Sequence, residues 1–569
     1  KMDLDKPIFS SRTGTSVHYT PVINRSSRKI EASRPPIRVR TVSPRQLGVL
    51  ALIAAGVFVL VSDLRPASVR SGGEVIAGPY SYLLASSTDL GASRDSGVQL
   101  TMALRDGHRP AGVYAWADGR GLSVRWRPGH QWAVVEGPAA SVADAFDVEV
   151  RDYRGRRGQV FYASPQQPDV PDVLRDEVFE VGRILGYVPH HTSHIWTLPL
   201  DVPDKGLTPE ALRNTYNAAP LTAAGYTGKG TTIVFFTFDG FDQADLDSFA
   251  DTYDLPRFTP EVVGELDEPR GEATMDLQVA HAVAPDARKV VVSALPTVTA
   301  DGAFERIGQM LEETDRRYPG AVWSFSIGWG CDKLITAADL APVRSALATA
   351  QSHGTTAFNA SGDLAGLECK GGDDWSSPPG ESDIGLDSIA SLPEMTDVGG
   401  TTLSTDGEGR WLSEQAWFDV PLSVGTGGGV SAVFDRPDWQ RQVWPDRDTD
   451  RRLTPDVAAV ADPFTGVRIV FAQTPLVGGG TSQSAPIWAG LAAVMNQYLL
   501  ANGGRLLGDL NPLLYRIARG APLPAFRDVT LGGNAVADAL PGYDLVTGLG
   551  TPDVDNLVRN VLILQKAAT

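Results

Sequence analysis

From Leu207 onward, short apolar runs of strand composition alternate with longer runs of helical pattern. That alternation restricts the chain to few architectures. TTIVFFTF, KVVVSAL, AVWSFSIGW and TTAFNASGD read as buried strands. DQADLDSFADTY, GEATMDLQVAHAVA and LAPVRSALATAQSH read as the helices between them. Strands without a polar face, joined through helices, imply an α/β fold: a doubly wound, mostly parallel sheet covered on both faces. Functional residues in such sheets gather beyond the carboxyl ends of the strands.

The first 206 of the 569 residues have a different texture. Residues 1–46 carry ten Lys/Arg against three acids, which reads as a basic cytoplasmic tail. LGVLALIAAGVFVLV, Leu47–Val61, follows without a charged side chain. A membrane span needs about 20 apolar residues, with a lower limit near 17, so residues 47–63 are expected to form a single transmembrane helix. The basic flank places the tail in the cytoplasm and the rest outside. A cleaved signal peptide followed by secretion is the alternative, and a buried soluble helix a third. Residues 73–187 read as a separate α+β domain, with strands in GLSVRWRP and QWAVVEG and a helix in ASVADAFDVEV for which Ser141 is available as N-cap. Residues 188–206, with several prolines, clustered histidines and no periodicity, read as a linker, and 207–569 as the main domain.

Hydrophobic content of 42% and charged content of 21% are those of a globular protein. A formal net charge of −18 argues against a nucleic-acid partner and suits a protein that works in acid. Two cysteines, Cys331 and Cys369, exclude a disulfide-dense scaffold and a Cys-rich zinc site.

Two segments carry chemistry. In GGGTSQSAPIWAGLAAVMNQYL a glycine run enters a Thr-Ser turn ahead of a long apolar helix, expected from about Ala485. Ser482 would then lie where helix N–H groups favour developing negative charge; the plainer reading is that Thr481, Ser482 and Ser484 cap a core helix. In GEATMDLQVAHAVAP, Met275, Val279, Ala282 and Val283 mark an apolar stripe. Glu272 and Asp276 stand i, i+4 on one face. Two adjacent carboxylates couple their titrations, or they simply complement the helix dipole. A serine nucleophile needs a base. His353 reads as a surface residue and His281 as a satisfied core histidine.

Together with VWSFSIGWG, TTAFNASGDLAG, TGGGVSAVFDRPDWQ and DVTLGGNAVADALPGYDLVTGLGTP, in this order along the chain, these segments resemble the sedolisin family of serine-carboxyl peptidases. The resemblance covers essentially all of 207–560. It implies a subtilisin-like fold and acid-active hydrolysis of peptide bonds in protein or peptide substrates, by an endopeptidase, with tripeptide trimming left open. It makes Ser482 the nucleophile, Glu272 the general base and acid, Asp276 the residue that orients Glu272, and Asp363 the oxyanion donor. A carboxyl group donates to an oxyanion only when protonated, and a carboxylate base must be ionised, so an acidic optimum follows from the identity of the groups.

The resemblance also implies one Ca²⁺ ion. Asp528 and Asp544 match the side-chain ligands, and Val529, Leu540 and Gly542 the carbonyl donors; hard oxygen ligands suit Ca²⁺. Leu540 replaces the usual glycine, where a left-handed backbone would strain a leucine. Relatives often carry an acid at the end of the first strand, bonded towards the glutamate and a tryptophan. Here that tryptophan is Trp329, Thr237 stands at the acid's position and Asp239 two residues on. Residues 73–187 resemble the family's propeptide, which makes 188–206 the processing region. A catalytically silent, membrane-tethered binding scaffold and a histidine-dependent subtilisin-type hydrolase are the competing readings. Finally, Cys331 and Cys369 follow strands joined by one crossover helix, so both loops emerge at one sheet edge. With an oxidising compartment outside the membrane, a Cys331–Cys369 disulfide is expected.

Overall fold

The structure, a computed structural model, describes residues 73–192, 198–199, 206–299, 301–370, 380, 382–419, 424–442 and 449–567. The basic tail and the apolar run Leu47–Val61 lie outside the described residues. Among the described residues no helix is long and apolar enough to cross a membrane.

Residues 73–187 build two antiparallel sheets. β1 (Thr88–Ala92), β5 (Arg151–Arg154) and β6 (Val160–Ala163) form one, in the order β1-β5-β6; β2 (Val98–Leu104), β3 (Ser123–Arg125), β4 (Trp132–Gly137) and β7 (Val178–Val181) form the other, in the order β3-β4-β2-β7. Helices α1 (Pro79–Ala85), α2 (Ala111–Asp118) and α3 (Ala139–Phe146) complete this α+β unit. Its core unites Val98, Leu100 and Met102 with Val135, Val142 and Phe146. Ser141 lies inside α3 rather than at its start, because Pro138 holds the N-cap position. The proline presets the backbone for helix entry three residues earlier than the serine would.

The chain then crosses to the main domain as two short strands. β8 (His191–Thr192) and β9 (Leu198–Pro199) flank residues 193–197, which lie outside the described set.

The main domain is the expected doubly wound sheet, of eight strands. Its strands are β10 (Thr232–Thr237), β11 (Glu261–Val263), β12 (Arg288–Ser293), β13 (Val322–Phe325), β15 (Thr356–Ala360), β16 (Thr396–Thr405), β17 (Trp411–Ala416) and β18 (Val457–Val460). They run β11-β12-β10-β13-β15-β16-β17, with β18 also on β16, and every pairing except β16–β17 is parallel. β10 is central: Phe236 stands opposite Val292 on β12 and Phe325 on β13, and the Phe236 and Phe325 rings stack at 4.3 Å. Such strands are apolar on both faces because helices cover both.

Two helices carry the site. All twelve residues of α6 (Glu272–Val283) are buried, as are most of α9 (Thr481–Ala501). The stripe expected on α6 is therefore only part of its apolar surface. Its Gln278 is bonded internally: Gln278 Nε2 donates to the Val470 carbonyl (2.8 Å), and Val470 N–H donates to Gln278 Oε1 (2.7 Å). The two helices meet at Gly490, where a Cβ would lie 2.9 Å from Val283 Cβ and 3.2 Å from the Ala280 carbonyl oxygen. Nearer their starts, Met275 Sδ lies against Gly478. Glu272 and Ser482 therefore stand at the same end of a parallel pair, each about 12 Å before the crossing at about 1.5 Å per residue. A side chain at 490 would overpack this contact at about 1–3 kcal/mol.

Candidate active site

α6 begins at Gly271, whose φ of 105° suits only glycine, and no side chain of its own first turn caps it. Asp239 does so from the end of β10. Its Oδ2 accepts the N–H groups of Arg270 (2.9 Å) and Glu272 (3.2 Å), and its Oδ1 accepts Ala273 N–H (3.1 Å) and the Thr237 hydroxyl (2.7 Å). Helix-end donors that would otherwise be orphaned are thus satisfied by a 1% exposed carboxylate. The acid expected at Thr237 has moved two residues on, and it holds the helix rather than the tryptophan. Trp329 Nε1 donates instead to Thr297 Oγ1 (2.9 Å).

Glu272 is 2% exposed and neither carboxylate oxygen completes a hydrogen bond. Burial pushes its carboxyl well above the ordinary range, and the charges of Asp276 and Asp239 push the same way; the nearby Ser482 hydroxyl pulls it down. Asp276, fully buried one turn later, is also pushed well above its range by burial, against the pull of the Ser326 hydroxyl, whose Oγ lies 2.9 Å from its Oδ1.

α9 starts at Thr481, four residues earlier than the sequence suggests. Ser482 therefore lies in the first turn rather than ahead of it. Pro486, inside the helix, has no N–H for the Ser482 carbonyl. That carbonyl accepts from Ser326 Oγ instead (3.1 Å), and Ser482 Oγ donates to the Ser326 carbonyl (3.3 Å).

Asp363 follows β15. Thr481 N–H and Thr481 Oγ1 both donate to its Oδ1 at 2.8 Å. A Cβ on Gly480 would lie 2.8 Å from Asp363 Oδ2, so the glycine run lets this carboxyl reach the start of α9. Ser482, Glu272, Asp276 and Asp363, drawn from three distant segments, thus gather at one edge of the sheet. Sequence reasoning missed Ser326; a hydroxyl residue immediately past β13 was the available signal.

The histidines weighed as bases are engaged elsewhere. His353 Nδ1 is 2.7 Å from Asp315 at the surface. His281 bonds Lys289 Nζ (2.9 Å) and the Pro256 carbonyl (2.8 Å), and burial pushes it down to about 3. Cys331 and Cys369 form the expected disulfide, with Cα atoms 4.8 Å apart.

The linker flanks the site on both sides. β8 pairs antiparallel with β14 (Ile327–Gly328), Thr192 opposite Ile327 and His191 opposite Gly328. β9 pairs with a strand shortly before the glycine run, β20 (Thr474–Val477) of the hairpin it forms with β19 (Arg468–Phe471).

Near the C-terminus, two carboxylates close on one turn. Asp528 Oδ2 accepts Gly542 N–H (2.8 Å). Asp544 Oδ2 accepts Leu540 N–H (3.1 Å), and its Oδ1 accepts the N–H groups of Val546 and Thr547 (2.8 Å each). The two carboxylates are hard oxygen donors of the type that suits Ca²⁺, and here they accept backbone N–H groups of the turn. Leu540 is not among the described residues with positive φ; the left-handed position falls on Gly542, at 80°.

Residues 108–184 match the family described as "Pro-kumamolisin, activation domain". The chain is 31% identical over 491 residues to kumamolisin of Bacillus sp. (strain MN-32), covering 79% of this chain and 83% of that relative. It is 27% identical over 453 residues to sedolisin of Pseudomonas sp. (strain 101), covering 74% and 73%. The solved structure of Pseudomonas sedolisin, a serine-carboxyl proteinase complexed with two molecules of pseudo-iodotyrostatin, superposes with a TM-score of 0.53 at 26% identity, over 63% of this chain and 98% of that one.

Proposed function

The chain belongs to the sedolisin–kumamolisin family of serine-carboxyl peptidases, with an N-terminal activation domain, and we propose that it is an acid-active endopeptidase in which Ser482 is the nucleophile and Glu272 the base. The observation that carries this reading is the convergence of a buried serine, an unbonded buried glutamate and a buried aspartate at one helix-capped edge of the sheet.

Ser482 Oγ attacks the scissile carbonyl and passes its proton to Glu272. Protonated Asp363, held by Thr481, donates to the oxyanion. Glu272 returns the proton to the leaving amine, and the same groups then run the attack of water on the acyl-enzyme. Asp276, fixed by Ser326, orients Glu272, and its charge pushes the Glu272 carboxyl up. Ionisation of Glu272 sets the acid limb of activity.

We place the processing region at 188–206, supported by the pairing of β8 and β9 with strands on either side of Ser482. The activation domain is held by charge as well: Arg125 Nη2 lies 2.8 Å from Glu305, and His130 Nε2 3.1 Å from Glu312. Asp528, Asp544 and the carbonyls of Val529, Leu540 and Gly542 would hold one Ca²⁺, which would supply a charge clamp on the terminal turn. Residues 47–63 anchor the protein in the cell membrane with the peptidase outside; a cleaved signal, giving a secreted enzyme, is the alternative, and membrane flotation of the intact chain separates them.

The test is acidification of purified proenzyme. Cleavage within 188–206 is expected, with loss of both self-cleavage and substrate hydrolysis in Ser482→Ala. A Ser482→Ala protein that still processes itself in isolation would overturn the assignment.

A further inference from the structure

One buried acid close to Asp363 is not used by the chemistry above. The loop after β15 turns back on itself, with positive φ at Gly362, Ala365 and Gly366, and the side chain it encloses is Glu368. Glu368 is 5% exposed. Its Oε1 accepts Leu364 N–H at 3.0 Å, the residue after Asp363, and its Oε2 is buried without a partner. It also fills the space beside Gly362, the residue before Asp363: a Cβ there would collide with the carboxyl group. Cys369, the next residue, is tied by its disulfide to Cys331, shortly after β14.

We propose that Glu368 is a positioning residue for the oxyanion donor: its protonated carboxyl is the strut that fixes residues 362–364, and with them Asp363, against the start of α9.

The surroundings of the side chain favour the neutral form. The titratable groups facing Glu368 are Asp363 on the same loop and Asp387 from the segment after Gly385, with Asp332 beyond Asp387. All are acids. Burial pushes Glu368 well above its ordinary range, and Asp363 and Asp387 add to the shift. An ionised Glu368 would sit desolvated among carboxylates and would be driven out of the loop. Proton loss therefore withdraws the strut, and the oxyanion donor loses its fixed direction as the pH rises.

The proposal rests on the peptidase reading, and the experiment separates the two. Ser482 is titrated with a tight-binding peptide aldehyde, which its Oγ adds to as a hemiacetal, so that rates refer to folded sites, and kcat and KM are measured from pH 3 to 8. Glu368→Ala is expected to lower kcat at least tenfold with KM within about twofold. Glu368→Gln, which keeps the acceptor for Leu364 N–H and mimics the protonated acid, is expected to restore most of that loss and to carry activity further into the neutral range than the parent. An unchanged kcat in Glu368→Ala, or a Glu368→Gln enzyme no better than Glu368→Ala, overturns the proposal. An inactive, unlabelled parent enzyme overturns the peptidase reading itself.

Discussion

Ser326 and Ser482 hold each other by reciprocal hydrogen bonds: the hydroxyl of each donates to the backbone carbonyl of the other, at 3.1 and 3.3 Å. The arrangement exists because Pro486 leaves the Ser482 carbonyl without a helical donor. Ser326 Oγ also lies 2.9 Å from Asp276 Oδ1, so one hydroxyl links the nucleophile to the acid pair. Ser326→Ala is expected to lower kcat by about 10–100-fold, the range of one to two hydrogen bonds to a charged or buried partner, with KM little changed. Steady-state kinetics on active-site-titrated protein checks this; an unaltered kcat would show that the link is ornamental.

Asp239 is expected to act on Glu272 through charge as well as through the helix it caps. Its negative charge raises the Glu272 carboxyl, so removing that charge lowers it, and the base ionises at lower pH. In Asp239→Asn the acid limb of kcat/KM should move to lower pH, with stability reduced by about 1–2 kcal/mol for the weakened cap. A pH–rate profile measures the first and urea unfolding the second. An acid limb displaced upward would contradict the sign.

Much of this site was legible in the sequence, and the failures have physical causes. The strand–helix alternation after Leu207 and the order of the segments around Glu272, Asp363 and Ser482 gave the main domain and gathered the three acids with the serine. The helix α9 starts at Thr481, inside the segment read as a Thr-Ser turn, and the proline six residues into it only frees one carbonyl, which Ser326 uses. The cap on α6 was invisible because Asp239 is 33 residues from Glu272 in sequence and acts through backbone N–H groups, which leave no side-chain pattern. Glu368 carries no periodicity at all; only the fold of its loop shows that it points inward. The disulfide, by contrast, followed from the crossover topology together with the expected oxidising compartment.

Fold stability should fall as the pH rises. Burial pushes Asp332 up to about 6 and Asp387 up to about 7. Both then bind protons more tightly folded than unfolded. Their contribution is complete below about pH 4, the unfolded value, and is lost as the pH climbs through 6 and 7. Urea unfolding of Ser482→Ala protein, which cannot digest itself, is expected to show a stability lower at pH 7.5 than at pH 4.5 by on the order of a few kcal/mol. A flat or rising profile across this window would contradict the assignment of these two acids as neutral buried groups.

Calcium should stabilise the terminal turn because it binds the folded chain and not the unfolded one. A chelator, or Asp544→Ala, is expected to lower the melting temperature by several degrees, with about 2.7 kcal/mol at stake when the ion is present at 100 times its dissociation constant. Thermal scans with and without chelator at fixed pH decide it. Identical scans would mean that the turn closes through Gly542 and Leu540 N–H bonds alone.

The central claim is that a carboxylate takes the serine proton, and Glu272→Gln tests it most directly. The amide preserves the size of the side chain and its place at the start of α6 but cannot act as a base. Hydrolysis of a denatured protein substrate near the acidic optimum, followed by product sequencing, is expected to fall by about 10²–10⁴-fold, with peptide-aldehyde binding at Ser482 largely kept. Hydrolysis within tenfold of the parent would contradict the account and return the role of base to a histidine.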